Sequence, residues 1–171
     1  SFKDGKLLQK PLKEMQQLRK NEFHCALSEF TQWEPEDSCF ELHIDFEEKA
    51  EKVEKVEIVE KEREQQSHSM KLQLREDVIL SLEEGILRLN MGKSGRGRKE
   101  RAVKVEKLRN LTIFSDTSAI EIFINDGETV MTTRVYSENL KQKVTFLSKE
   151  NTGSVTGYEL GSFIVRHHEE V

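Results

Sequence analysis

A chain of 171 residues is long enough for one domain with a closed core, since a domain of about 150 residues buries roughly 68–70% of its unfolded surface. Charged residues reach 35%, but 35% hydrophobic residues, many of them Ile, Leu, Val and Phe, exclude a disordered chain. With 32 acidic against 27 basic side chains the net charge is −5, which argues against nucleic acid or an anionic membrane surface as a partner.

In chain order, Asp4-Gly5 lies between short apolar-containing segments and signals a hairpin turn, because Gly accepts positive φ. Pro11 opens a short helix over Leu12 to Arg19, with Leu12, Met15 and Leu18 recurring every three positions. The period then changes to two. Phe40, Leu42, Ile44 and Phe46 alternate with Glu41, His43 and Asp45, a half-buried strand with its polar row toward water. Between Glu47 and Glu64 the pattern fits a charged helix as well as a strand; a strand over Val53 to Lys61 is the preferred reading.

Met70, Leu72 and Leu74 resume the alternation, and Val78 to Leu82 and Ile86 to Leu89 flank a Glu83-Glu84-Gly85 hairpin. The Gly- and Arg-rich stretch from Gly92 to Lys99 reads as a surface loop joining two strands. Leu111 and Ile113, then Ile120, Ile122 and Ile124, lead into Asn125-Asp126-Gly127, from which Val130 to Tyr136 returns. Val144 to Leu147 and Tyr158 to Val165 close the series. The fold class is all-β: a two-sheet antiparallel β-sandwich over residues 21–171, preceded in residues 1–20 by a linker and one short helix.

Candidate chemistry is sparse. Gly92-Lys93-Ser94 has the end of a phosphate-cradling loop, but the required earlier Gly is Leu87 and no strand-to-helix step follows. Arg96, Arg98, Lys99 and Arg101 read as a solvated basic loop, with binding of a phosphate or an acidic partner surface as the alternative. Glycosidic chemistry needs two carboxyl groups across the scissile bond. Asp116 with Glu121, and Glu34, Glu36 and Asp37 in one turn, read instead as turn and surface acids. Of the five histidines, His43 lies beside Glu41 and Asp45 on a polar strand face, and neighbours His167 and His168 point to opposite sides of a strand. Neither arrangement makes a metal site. Cys25 and Cys39 lack metal or redox spacing and read as reduced thiols. No catalytic, cofactor-binding or metal residue is assigned. The absence of an apolar run long enough to span a bilayer and of a signal-peptide layout leads to the expectation of a cytoplasmic protein with no membrane partner.

The segment Leu111 to Tyr136, LTIFSDTSAIEIFINDGETVMTTRVY, closely resembles the signature of the C-terminal domain of glycoside hydrolase family 32, the invertase and levanase family. Its carriers are Asp116, Ser118, Glu121, Ile122, Phe123, Asn125, Asp126, Gly127 and Arg134, expected as a strand, a tight turn and a returning strand. Asp4-Gly5-Lys6-Leu7, Gln9, Pro11, Glu14, Leu18 and Arg19 resemble the family's exit from its catalytic five-bladed propeller. Where many relatives have Leu-Asp-Arg, this chain has Leu89-Asn90-Met91. The loop from Gly92 to Lys99 looks most like the bacterial branch that hydrolyses sucrose 6-phosphate.

The resemblance implies a parent β-fructofuranosidase acting on sucrose or sucrose 6-phosphate, whose nucleophile, transition-state-binding and acid motifs do not occur in this chain. It implies a non-catalytic module that packs on the propeller of the same polypeptide, without cofactor, and that contributes to a homodimer contact. Phe2, Leu7, Leu8, Phe30 and Trp33 are the candidates for an exposed apolar interface. A carbohydrate-binding, lectin-like sandwich is the alternative, weakened by a single Trp and two Tyr.

Overall fold

The computed structural model describes residues 2–3, 6–7, 18–36, 39–47, 69–75, 77–92, 100–135, 143–148 and 150–161. Two residues on each side of Asp4-Gly5, β1 (Phe2–Lys3) and β2 (Lys6–Leu7), pair antiparallel with Phe2 opposite Leu7. The other twelve strands form two six-stranded sheets, antiparallel at every pairing.

The first sheet is built from β3 (Arg19–Ala26), β5 (Phe40–Phe46), β10 (Asn110–Ser115), β11 (Ala119–Ile124), β12 (Thr129–Arg134) and β14 (Gly153–Leu160), in the order β12-β11-β10-β5-β14-β3. The second holds β4 (Gln32–Trp33), β6 (Met70–Arg75), β7 (Val78–Glu83), β8 (Ile86–Asn90), β9 (Glu100–Lys104) and β13 (Val144–Phe146), in the order β4-β13-β6-β7-β8-β9. A 3₁₀ turn, Leu27–Glu29, links β3 to β4. Because strand side chains alternate, one row of each sheet points inward. Phe40, Leu42, Ile44, Leu111, Ile113 and Ile122 meet Leu72, Leu80, Leu87 and Leu89 in one core, all fully buried.

Tight turns set the registers. Glu83 pairs with Ile86, leaving two loop residues, Glu84 at φ 51° and Gly85 at φ 75°. Positive φ at both centres is the type I′ geometry that matches strand twist. Asn90 pairs with Glu100, so residues 93–99, themselves outside the described residues, join two neighbouring antiparallel strands as expected of that loop.

Several expectations change. Residues 12–17 of the expected helix and the strand at 53–61 lie outside the described residues, but Arg19, the expected helix end, opens β3. The last strand runs over Gly153–Leu160 rather than starting at Tyr158. Its two glycines explain the misreading, since they lower apparent strand propensity while permitting close backbone approach. A Cβ on Gly157 would lie 2.1 Å from the Phe23 ring, and one on Gly153, at φ 145°, would lie 1.8 Å from the Asp45 carbonyl oxygen.

Substitution at these glycines separates conformational strain from collision. Gly85→Ala meets nothing closer than 3.6 Å, so it should cost only the left-handed strain, about 1–2 kcal/mol. Gly153→Ala collides with backbone in the β5–β14 ladder and should cost more than about 3 kcal/mol. Urea denaturation of both variants checks the ranking, and equal losses would contradict it.

Candidate functional site

The family-like residues lie together at the β10–β11–β12 edge of the first sheet, and most are occupied by architecture. Asp116 Oδ1 accepts the backbone N–H groups of Ser118 and Ala119, each at 2.8 Å, and so caps the β10–β11 turn. Ser118 contributes its carbonyl to the Val135 N–H at 2.9 Å. At the other end Asn125, Asp126 and Gly127 all have positive φ, at 51°, 60° and 83°, and the Glu128 N–H closes the turn on the Asn125 carbonyl at 3.2 Å.

Asn125 is buried and its amide makes three hydrogen bonds. Oδ1 accepts the N–H groups of Arg109 at 2.7 Å and Asn110 at 3.3 Å, and Nδ2 donates to the Lys107 carbonyl at 2.7 Å. Asn110 Oδ1 in turn accepts the Asp126 N–H at 2.8 Å. Thus the Asn-Asp-Gly turn is stitched to the segment entering β10. Phe123 packs edge-to-face on Phe114 at 5.9 Å, on the face of the sheet opposite the core. Glu121 is half-buried beside it in register with Phe114 and Thr132, and Arg134 is exposed opposite Ala119.

The interface candidates are scattered. Phe2 and Leu7 are register partners in the small β1–β2 ladder, and Leu8 lies outside the described residues. Phe30, expected on an exposed patch, is instead 5% exposed in the main core, with its ring stacked 5.8 Å from Phe23. Trp33 is half-buried, 4.8 Å from Phe23 and 5.4 Å from Phe40. Both join a group of rings with Phe23, Phe40 and Phe146. Among the described residues, Leu147 is the large apolar side chain left exposed.

A polar cluster that the sequence did not reveal lies on the outer face of the first sheet. Glu41 was expected in a water-facing row, and its alternation with Phe40 and Leu42 does place it on that face, yet it is 0% exposed. Arg19 grips it with two hydrogen bonds, Nε to Oε1 at 2.9 Å and Nη2 to Oε2 at 2.5 Å. The guanidinium also stacks 4.5 Å over the Tyr158 ring. His43 Nε2 bonds Glu41 Oε2, and since a carboxylate only accepts, Nε2 carries the proton; Nδ1 of a neutral ring then accepts from Thr112 Oγ1 at 3.1 Å. Burial would raise the Glu41 carboxyl, but the bonds from His43 and Arg19 outweigh it and hold the acid below its ordinary range. The Glu41-x-His43 spacing was the visible signal; Arg19 and Tyr158 arrive only through strand pairing.

A hydroxyl, an imidazole and a carboxylate in sequence have the order of a nucleophilic triad, but acyl chemistry also needs donors at the developing oxyanion. Thr112 and His43 sit on interior strands, whose backbone N–H groups are spent in ladders on both sides. The arrangement therefore fastens β3 and β10 to β5. Glu159 is similarly engaged: burial would raise its carboxyl, but the Asn21 side chain at 2.5 Å and the Glu36 N–H at 2.7 Å lower it overall. Among the described residues no group of three His, Cys, Asp or Glu is disposed to hold a metal ion, and no helix is long and apolar enough to cross a membrane.

The fold is thus a two-sheet antiparallel sandwich whose diagnostic hairpins are structural. Residues 6–162 match the family model described as the C-terminal part of glycosyl hydrolases of family 32, and the chain belongs to that family. It is 34% identical over 151 residues to a sucrose-6-phosphate hydrolase of Staphylococcus xylosus, covering 81% of this chain and 28% of that protein. It is 29% identical over 152 residues to a probable sucrose-6-phosphate hydrolase of Psychromonas ingrahamii, covering 85% and 25%. The chain therefore spans only about a quarter of the length of these relatives. Among solved structures, the sucrose-6-phosphate hydrolase of Lactobacillus gasseri superposes with a TM-score of 0.72 at 22% identity, over 94% of this chain and 32% of its own.

The Glu41 cluster gives a pH-dependent prediction. The folded acid titrates below its unfolded value of about 4.3, so its stabilisation is present above that pH and is lost as the pH falls through the folded value. Glu41→Gln should cost about 3 kcal/mol near neutrality, at the lower end for breaking a buried pair because Arg19 keeps 26% of its side chain exposed. The gap between the urea midpoints of wild type and variant should narrow as the pH is lowered from about 7 to about 3. A gap that stays constant across this range would refute the assignment.

Proposed function

We propose that the chain is the non-catalytic C-terminal module of a β-fructofuranosidase of the sucrose-6-phosphate hydrolase kind, and that it works by packing against the catalytic propeller of the same polypeptide. Support comes first from the length relation, since the relatives carry about three quarters of their residues outside the region this chain matches. The observation that carries the docking role is a second apolar cluster outside the main core. Phe114, Phe123 and Leu160 are 3–8% exposed on the outer face of the first sheet, joined by Leu18, Cys39 and Val130. A sheet face turned away from its partner sheet buries such a row only when other parts of the chain cover it. Leu18, the residue through which the chain enters the sandwich, is one of these covering groups. We propose that the propeller contact lies at this end of the outer face. A homodimer contact and a cytoplasmic setting belong to the same proposal.

Mixing the isolated chain with a family 32 catalytic domain tests the reading. The chain alone should release no fructose from sucrose or sucrose 6-phosphate, and added to the catalytic domain it should raise that domain's melting temperature. Leu18→Asp, with its β-rich circular dichroism retained, should lose the effect. Hydrolysis by the chain alone, or a catalytic domain indifferent to it, would overturn the proposal.

A further inference from the structure

Among the described residues the two sheets end in four edge strands, β12 and β3 in the first and β4 and β9 in the second. An edge leaves one row of backbone N–H and C=O groups without a ladder partner, and a second chain can pair with it. Three of these edges are poor templates. β3 carries a bulge, with Asn21 at φ 51°, and β4 is two residues long. β12, Thr129–Arg134, has Arg134 as its one charged residue and nothing of opposite sign to meet it.

β9, Glu100-Arg101-Ala102-Val103-Lys104, is different. It pairs with β8 without a register shift, from Asn90 opposite Glu100 to Ile86 opposite Lys104. Just beyond, the Val105 N–H donates to the Gly85 carbonyl at 2.8 Å. Because successive residues of a strand turn their backbone groups to opposite sides, Val103 and Arg101 turn theirs to β8 as Val105 does. Glu100, Ala102 and Lys104 therefore present theirs at the outer edge, and all three residues are exposed.

A charged edge ordinarily keeps other chains away. The order of charges along β9 decides otherwise for one partner, a second copy of itself. In an isologous antiparallel pair every contact occurs twice about a twofold axis. With the axis at Ala102, the two Ala102 residues exchange N–H and C=O bonds, and Glu100 of each copy stands directly opposite Lys104 of the other. Two pairs of opposite charge result, where a like pair would repel. Glu100 already meets Arg88 of its own chain, at 3.1 Å from Nε to Oε1, so in the dimer it lies between two cations. A carboxylate has acceptor sites for both. On the inner face, where Val103 packs on the core, Arg101 falls opposite Val103 of the other copy and lays its aliphatic stem along it.

We propose that β9 is the homodimer surface of this chain, two copies joining their second sheets edge to edge into one sheet of twelve strands, six from each. This rests on the homodimer contact put forward above and names its residues. A five-residue edge is well below a standard interface, so the dimer is weak, with a dissociation constant on the order of 100 μM.

Sedimentation velocity of the chain from about 10 μM to about 1 mM should show the monomer passing into a dimer. Glu100→Lys and Lys104→Glu each set like charges opposite one another at both pairs, and each should weaken the dimer about tenfold or more. Mixed in equal amounts, the two variants should dimerise again, because every pair then unites opposite charges. Ala102→Pro removes an N–H that β8 does not use, so it should abolish the dimer while the β-rich circular dichroism is retained. Leu18→Asp should leave the dimer intact, so that failure of the propeller contact and failure of this edge are read apart. The proposal is overturned if the chain stays monomeric up to about 1 mM, if either charge reversal leaves the dimer as strong as before, or if the mixture does not restore it.

Discussion

A six-stranded sheet has two faces, and the second sheet seals only one of them. The first sheet therefore carries two different surfaces on the same strands, and strand alternation decides which residue serves which. On β5, Phe40, Leu42 and Ile44 feed the main core, while Glu41 and His43 face outward. On β10 and β11 the inward row is Leu111, Ile113, Ile120 and Ile122, and the outward row includes Thr112, Phe114 and Phe123. Everything that distinguishes this domain from a bare sandwich sits on the outward row or at the open ends. That includes the gripped carboxylate, the second apolar cluster and the turn amides.

The turns show why the signature residues look as they do. An Asn-Asp-Gly run with positive φ at all three positions needs residues that tolerate the left-handed region, which Asn, Asp and Gly do best. Asn125 has the further task of bonding two N–H groups and a carbonyl of the segment that leads into β10. Asp116 does the same on a smaller scale for Ser118 and Ala119. Motifs rich in acids and amides invite a catalytic reading. Here the Asn125 amide and the Asp116 carboxylate are engaged in closing hairpins.

Legibility in the sequence followed the regularity of the alternation. β5, β6, β7, β8, β10 and β11 carry large apolar residues at alternate positions, and each was readable. β3 was not, because a bulge breaks its period. Between Gly157 and Glu159 the ladder shifts by one residue, and Asn21 takes φ 51° there. β9, Glu100–Lys104, is a charged edge strand whose exposed side chains mimic a loop, and β4 is only two residues long. Glu41 looked like a surface acid since nothing local announces Arg19, 22 positions earlier in sequence and on an edge strand that reaches β5 only across β14. Phe30 looked like an interface residue for the converse reason: its burial depends on rings supplied by Phe23 and Phe146.

Two buried charges with opposite fates show how the sandwich distributes its polar groups. Glu41 has both oxygens engaged by Arg19 and His43, so its desolvation is offset and it remains ionised. Arg75, equally buried, reaches from β6 across to the first sheet, where Nη2 donates to Ser115 Oγ at 2.8 Å and to the Asp116 carbonyl. Its Nε and Nη1 have no partner among the described residues, and burial pulls its pKa down against the opposing charges of Asp116, Cys39 and Asp77. By stability alone an apolar side chain of similar volume would serve as well or better at such a position. What an apolar side chain lacks is direction: the guanidinium fork ties one turn of the first sheet to the end of a strand in the second. That end is where the β6–β7 ladder shifts register between Gln73 and Arg75, so a directional link is spent where strand pairing alone defines the alignment least.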